Sequence, residues 1–224
     1  MHNWPGQPLG QFAIRPGPFF AATDQFDITI QGQGGHAAKP QETVDSVVVA
    51  AQVVMALQTI VSRNADPVDQ AVVSVTSVES SSNAFNVIAE AVQLKGTIRT
   101  LTPQMRALGE ERLHKIVEAT CAAFGATAKI TYYKGYPPMV NHPEQTDFAA
   151  KVAADVAGSC DEAPLVMGGE DFAYMLEERP GAYILVGNGD TAAVHNAAYN
   201  FSDEAIPAGC SWWAEIVEQR MPAA

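Results

Sequence analysis

The chain has 224 residues, enough for one large domain or two small ones, and is 47% hydrophobic but only 17% charged, which excludes wholesale disorder. Lys and Arg number 13 against 25 Asp and Glu, a formal net charge of −12. So acidic a chain repels nucleic-acid and anionic-membrane phosphates, and no basic stripe offsets it.

Cys121, Cys160 and Cys210 are widely spaced, odd in number and without a CxxC pair, which argues against a disulfide framework and for a reducing cytoplasm. The opening Met-His-Asn-Trp-Pro-Gly has neither the basic nor the apolar region of a signal peptide. The most apolar stretch, Val47 to Val61, is broken by Gln52, Gln58 and Thr59, short of the ~18 uninterrupted residues of a membrane span. A soluble protein is expected.

Phe26, Ile28 and Ile30 alternate with Asp27, Thr29 and Gln31, the period of a half-buried strand, and Gly32, Gly34 and Gly35 end it. From Pro40, which suits a first helical turn, Val44, Val47, Val48, Ala51 and Met55 recur at three- and four-residue steps and predict one apolar helix face to about Ile60. After a break at Asn64 to Pro67, the valines and threonines of Ala71 to Val78 predict a strand, Ser80 to Asn83 a loop, and Val92, Leu94 and Ile98 a further strand. Thr102-Pro103 is a helix start. Leu113, Ile116, Val117, Cys121 and Phe124 share its apolar face, and Gly125 is placed to end it. Thr127 to Tyr133 alternate once more. The order β-α-β-β-α-β is the ferredoxin-like arrangement, two helices on one side of a four-stranded sheet.

Residues 1–22 and 136–224 read differently. They predict a helix near Gln145 to Val156, a Gly-rich turn at Glu170-Asp171, a single strand at Tyr183 to Val186 and a final helix from about Glu204 to Arg220. One strand has little to pair with, so these flanks read as the rest of a domain into which residues 23–135 are inserted.

Five histidines are available. His195 follows a strand and the Gly187-Asn188-Gly189-Asp190 turn, a common position for ligand side chains, while His2 sits in Met-His-Asn-Trp-Pro. Two imidazoles far apart in sequence are fewer than the three or four ligands of a zinc site. His36 lies at a glycine-rich tip, and His114 and His142 read as surface residues. Glu170 and Asp171 offer carboxylates in a glycine turn, with a helix-dipole role as the plain alternative. Asn86 and Arg99 bracket a strand pair and could jointly bind a carboxylate, or simply be surface polarity.

The stretch GQGGHAAKPQETVD, ending at Asp45, resembles the G-x-G-G-H-x-x-x-P segment of metal-dependent aminoacylases and carboxypeptidases, closest to the hippurate hydrolase and indole-acetyl-amino-acid hydrolase branch. MHNWPG, RPGPFFAATDQFDI, NVIAEAVQLKGTIRT, MGGEDFAYM and the HN-containing segment before the last helix match in the same order, so the resemblance spans essentially the whole chain. It implies an α+β/α/β protein: a ferredoxin-like lid and dimerisation domain (23–135) inserted in an incomplete α/β metallohydrolase catalytic domain (1–22 and 136–224).

By that resemblance His2 and His195 are metal ligands, and His36 is the lid histidine that reaches the partner subunit's site and polarises the scissile carbonyl. Asn86 and Arg99 are substrate-binding, and Glu170 lies in the site's vicinity. The implied reaction is hydrolysis of N-acyl amino acids with zinc, manganese or cobalt, in a cytoplasmic homodimer with no nucleic-acid or membrane partner. The family's Cys-Gly-His-Asp segment and Glu-Glu pair, which hold the remaining ligands and the general base, belong to a part of the family pattern that lies before the matched segments, and Ala89 stands where the family has proline. The chain is therefore expected not to hydrolyse amides alone. The alternatives are a non-catalytic dimerisation or binding module, or a dipeptidase or desuccinylase of the same family.

Overall fold

The computed structural model describes residues 1–221. The chain forms two compact units. The terminal unit comprises Met1–Phe19, Met139–Val166 and the residues from Asp171 onward. The central unit comprises Phe20–Pro138 and Met167–Glu170.

Three short strands open the chain: β1 (His2–Trp4), β2 (Phe12–Ile14) and β3 (Gly17–Phe20). The central unit follows with β4 (Ala22–Gln31), β5 (Gly35–His36), α1 (Ser46–Leu57), β6 (Ala71–Ser80), β7 (Val87–Ile88), β8 (Ala91–Thr100), α2 (Pro103–Ala123) and β9 (Thr127–Tyr133). Its four long strands make one sheet in the order β6-β8-β4-β9, every neighbour antiparallel. Alternation divides the two faces. Phe26, Ile28, Ile30, Leu94 and Ile98 form the core with Val49, Val53 and Leu57 of α1 and Leu113 and Val117 of α2. Gln25, Asp27, Lys95, Thr97 and Arg99 occupy the other face, which no helix of the unit covers. Gly96 permits the close packing, because a Cβ there would lie 2.2 Å from the Phe26 ring.

At one end of this sheet Asp24, 1% exposed, accepts hydrogen bonds from Nε and Nη2 of Arg106, from the Tyr132 hydroxyl and from the Gly135 amide. These partners satisfy a carboxylate whose burial would otherwise be prohibitive. They also push the Tyr132 hydroxyl well above its ordinary range: burial is the larger cause and the adjoining Asp24 the next.

Two expectations for the first helix fail. Pro40 starts only a 3-10 turn, Pro40–Glu42, and α1 begins at Ser46, capped by the Asp45 carboxylate on the amides of Val47 and Val48. The buried face is Val49, Ala50, Val53 and Leu57, whereas Val47, Val48, Ala51 and Met55 are exposed. With Gln52 the only large polar residue in α1, both faces are apolar and periodicity alone could not choose between them. The helical stretch Ser46–Asn64 is in fact long and apolar enough to cross a membrane, but its inner face packs in the core of the central unit.

The terminal unit resumes with β10 (Met139–Asn141), α3 (Pro143–Ala157), β11 (Cys160–Glu162), α4 (Ala173–Glu178), β12 (Leu185–Gly187) and α5 (Ile206–Arg220). Instead of one expected strand there are several three-residue ones, too short for alternation to reveal. They form a mixed sheet, β1-β12-β2-β11, in which β1 and β12 are parallel, β12 and β2 antiparallel, and β2 and β11 parallel. Phe12, Ile14, Val152, Ile184, Val186 and Trp212 make its core, and the Trp212 indole donates to the carbonyl of Ala149. The fully buried Asn141 amide donates to the carbonyls of Arg15 and Tyr183 and accepts from the Tyr183 amide, tying three segments together.

Candidate functional site

The six candidate residues fall in three places. His36 and Asn86 come together at one end of the central sheet. The short pair β5–β7 sets His36 opposite Val87, and the Ala37 amide donates to the Asn86 carbonyl. The Ala38 amide donates to Nδ1 of His36 at 3.0 Å, so that nitrogen carries a lone pair and the ring proton sits on Nε2. His36 is exposed, and so offers solvent a neutral hydrogen-bond donor. A donor of that kind suits a developing negative charge on a carbonyl oxygen.

Arg99 lies at the other end. It stands eight residues along β8 from Ala91, about 27 Å at the rise of an extended strand, and His36 lies beyond that far end. No single small amide can touch both groups in one copy of the chain. Arg99 is half-buried and makes no hydrogen bond or ion pair with a described residue. Its cross-strand neighbour is Thr23, and a Cβ on Gly169 would fall 2.1 Å from the Thr23 methyl, so only glycine lets residues 167–170 lie against this strand. Glu170 is brought to the Arg99 end in this way, half-buried. It precedes α4 by three residues and is not in a helical first turn, which removes the helix-dipole alternative.

His2 and His195 belong to the terminal unit. Nδ1 of His2 lies 2.6 Å from the Asn3 carbonyl, which can only accept, so Nδ1 carries the proton and Nε2 keeps the lone pair a metal ligand needs. His195 is exposed and has φ 66°, the one positive φ outside glycine among the described residues. Histidine is among the side chains that enter this region more readily, and such local strain concentrates at functional loops.

Sequence reasoning passed over the groups that hold the His195 loop. The buried Asn188 side chain donates to Thr191 and to the Asn200 carbonyl and accepts from the Ser202 amide, while the Tyr199 hydroxyl donates to Asn3 beside His2. The asparagine of the Gly-Asn-Gly-Asp turn was the available signal, since asparagine in turns bonds local backbone. A full metal centre is not assembled: among the described residues no group of three or more His, Cys, Asp and Glu side chains could hold an ion. Two imidazoles do not fit a catalytic centre by themselves.

The mixed α/β fold matches that of a dinuclear metal binding peptidase of the M20 family from Bacillus subtilis, with a TM-score of 0.82 and 28% identity over 100% of this chain and 57% of that one. The chain belongs to Peptidase family M20/M25/M40, whose description matches residues 1–219. Among similar proteins, an N-acetylcysteine deacetylase of Bacillus subtilis is 33% identical over 216 residues, 96% of this chain and 57% of the relative. An N-acetyldiaminopimelate deacetylase of Enterococcus faecalis is 38% identical over 208 residues, 92% of this chain and 55% of the relative. The chain thus spans about half the length of the curated relatives it matches. The family comprises hydrolases, and its dinuclear members bring a divalent metal to the reaction.

Proposed function

We propose that the chain serves in hydrolysis of the amide bond of N-acyl amino acids, with the central unit as a ferredoxin-like lid and the terminal unit as part of the catalytic domain. The relatives' names favour an acetyl group over the benzoyl group of hippurate. The observation that carries the reading is the ring chemistry of the histidines: His36 offers an N–H donor, and His2 a lone pair. In this reading Arg99 holds the substrate carboxylate through its two-pronged guanidinium, and Asn86 supports it from the same end as His36. His36 donates to the scissile carbonyl oxygen as charge develops there.

The distance between Arg99 and His36 then demands two copies of the chain, each lending its His36 end to the other's substrate. The exposed apolar side chains of α1, together with the unpaired outer edge of β6, supply a self-complementary surface for such a dimer. His2 and His195 are then two of the three or more protein ligands that a catalytic metal takes.

The test measures binding of N-acetylcysteine, N-acetyldiaminopimelate and hippurate by calorimetry, and hydrolysis with added zinc, manganese or cobalt. The expected result is binding of the acetyl compounds that Arg99→Ala weakens at least about tenfold, with no turnover by this chain. Turnover abolished by chelator and by His195→Ala would break the division of ligands. Absence of binding would instead favour a non-catalytic module.

A further inference from the structure

The polar face of the central sheet is not flat. A cleft of about 330 Å³ opens on it between β4, β8, β6 and β9, and its charged and polar walls are Gln25, Asp27, Lys95, Thr97, Arg99 and Tyr133. A β-bulge between Val75 and Ser77 shapes one rim by turning Thr76, the extra residue, into that rim. Bulges of this kind re-aim side chains beside binding sites.

The charges in the cleft run against those of the chain. The whole molecule carries −12, yet the cleft holds two cations and one anion. Both carboxylate oxygens of Asp27 lie 3.0 Å from Nε2 of Gln93, so that charge is already engaged. Lys95 stands directly across from Asp27, but neither Lys95 nor Arg99 forms an ion pair with a described residue. The two cations sit four residues apart on one face of one strand, about 13 Å between Cα atoms, and both line the cleft with Thr97 between them. A pocket of reversed sign in an acidic protein concentrates anions, and two separated cations select an anion with two ends.

We infer that this cleft reads the substrate's side chain: Lys95 binds a second carboxylate while Arg99 holds the α-carboxylate, so the preferred substrates are N-acyl derivatives of acidic, dicarboxylic amino acids. The inference rests on the proposed reading of Arg99 as the substrate-carboxylate residue and adds a specificity residue to it. Tyr133, half-exposed on the rim, supplies an aromatic wall for the connecting methylenes.

N-acetyl-L-glutamate and N-acetyl-L-glutamine are nearly isosteric and differ in that one charge, so their binding to the chain is compared by calorimetry at low and at physiological salt. The glutamate compound is expected to bind about 1.5- to fivefold more tightly at low salt, the range for an exposed ion pair, with the gap closing as salt rises. Lys95→Gln is expected to abolish the gap by weakening only the glutamate compound. Lys129→Gln, on the same sheet face but outside the cleft, is expected to leave the gap intact. Thermal melts confirm that each variant folds. Equal binding of the two compounds by the unmodified chain, or a gap that survives Lys95→Gln, overturns the inference and leaves the parent reading standing. If neither compound binds, the parent reading falls and this one with it.

Discussion

The two units reach stability by different routes. The central unit has strands of seven and ten residues, each wholly antiparallel to its neighbours, over a core that two helices close on one side. The sheet of the terminal unit has strands of three residues and lies over a smaller buried core. Long strands over a large shared core behave as an independent folding block, whereas three-residue strands over a small one draw less on their own packing. In this molecule the unit with the larger core carries substrate-recognition candidates, and the one with the smaller core carries the metal-ligand candidates.

The largest effect is expected from Arg106→Ala, which leaves the Asp24 carboxylate buried without its charged partner. The central unit should lose about 3–5 kcal/mol, read as a shift of the part of the far-UV circular dichroism transition in urea that tryptophan fluorescence does not share. All three tryptophans, Trp4, Trp212 and Trp213, lie in the terminal unit, so their fluorescence should barely respond. A shift shared by both signals would show that the units unfold together.

In the unmodified chain far-UV dichroism, which reports the helices of both units, should fall in two steps in urea, the earlier one coinciding with the fluorescence transition and separated from the later by about 1–3 kcal/mol of unfolding free energy. Coincident transitions would erase the contrast between the units.

Alkaline titration touches both units with the same sign. Burial, and secondarily the neighbouring Asp161 charge, pushes the Cys160 thiol from 9.0 up to about 11, and Tyr132 is raised above its ordinary 10.0. In each case the unfolded chain releases its proton first, so the folded state holds more protons and loses stability as pH rises, by an amount that solvent screening of these half-buried groups reduces. The loss should begin near pH 9 in the tryptophan signal, through Cys160, and near pH 10 in the central unit, through Tyr132. Tyr132→Phe should flatten only the second. Melting temperatures that stay level from pH 8.5 to 11 would contradict both assignments.

The smallest effect is expected from Asp45→Ala, which removes the cap of α1 and should cost the central unit about 1 kcal/mol, visible in the later dichroism step and not in tryptophan fluorescence.

Much of the central unit was legible from residue order because its strands are long enough for a period of two to repeat. Val92, Leu94 and Ile98 face the core and Lys95 and Arg99 the other side, as their alternation requires. Thr102 and Pro103 likewise start α2 where local capping chemistry places them, with the Thr102 hydroxyl accepting from the Met105 amide. Local rules failed where the information is not local. The apolar residues of α1 allow two inner faces, and only the sheet beneath selected Val49 and Val53 over Val48 and Met55. The three-residue strands of the terminal unit exist because distant segments pair, as His2 does with Leu185.

The candidate site divides along the same line. Motif order singles out His2, His36, Asn86, Arg99, Glu170 and His195 as candidates, because a motif is carried by neighbouring residues. That His36 and Arg99 lie at opposite ends of one sheet, and that Lys95 and Arg99 share a cleft with Gln25 and Tyr133, follows from strand register and a bulge. Register is settled by long-range packing of both sheet faces, and no stretch of neighbouring residues encodes it.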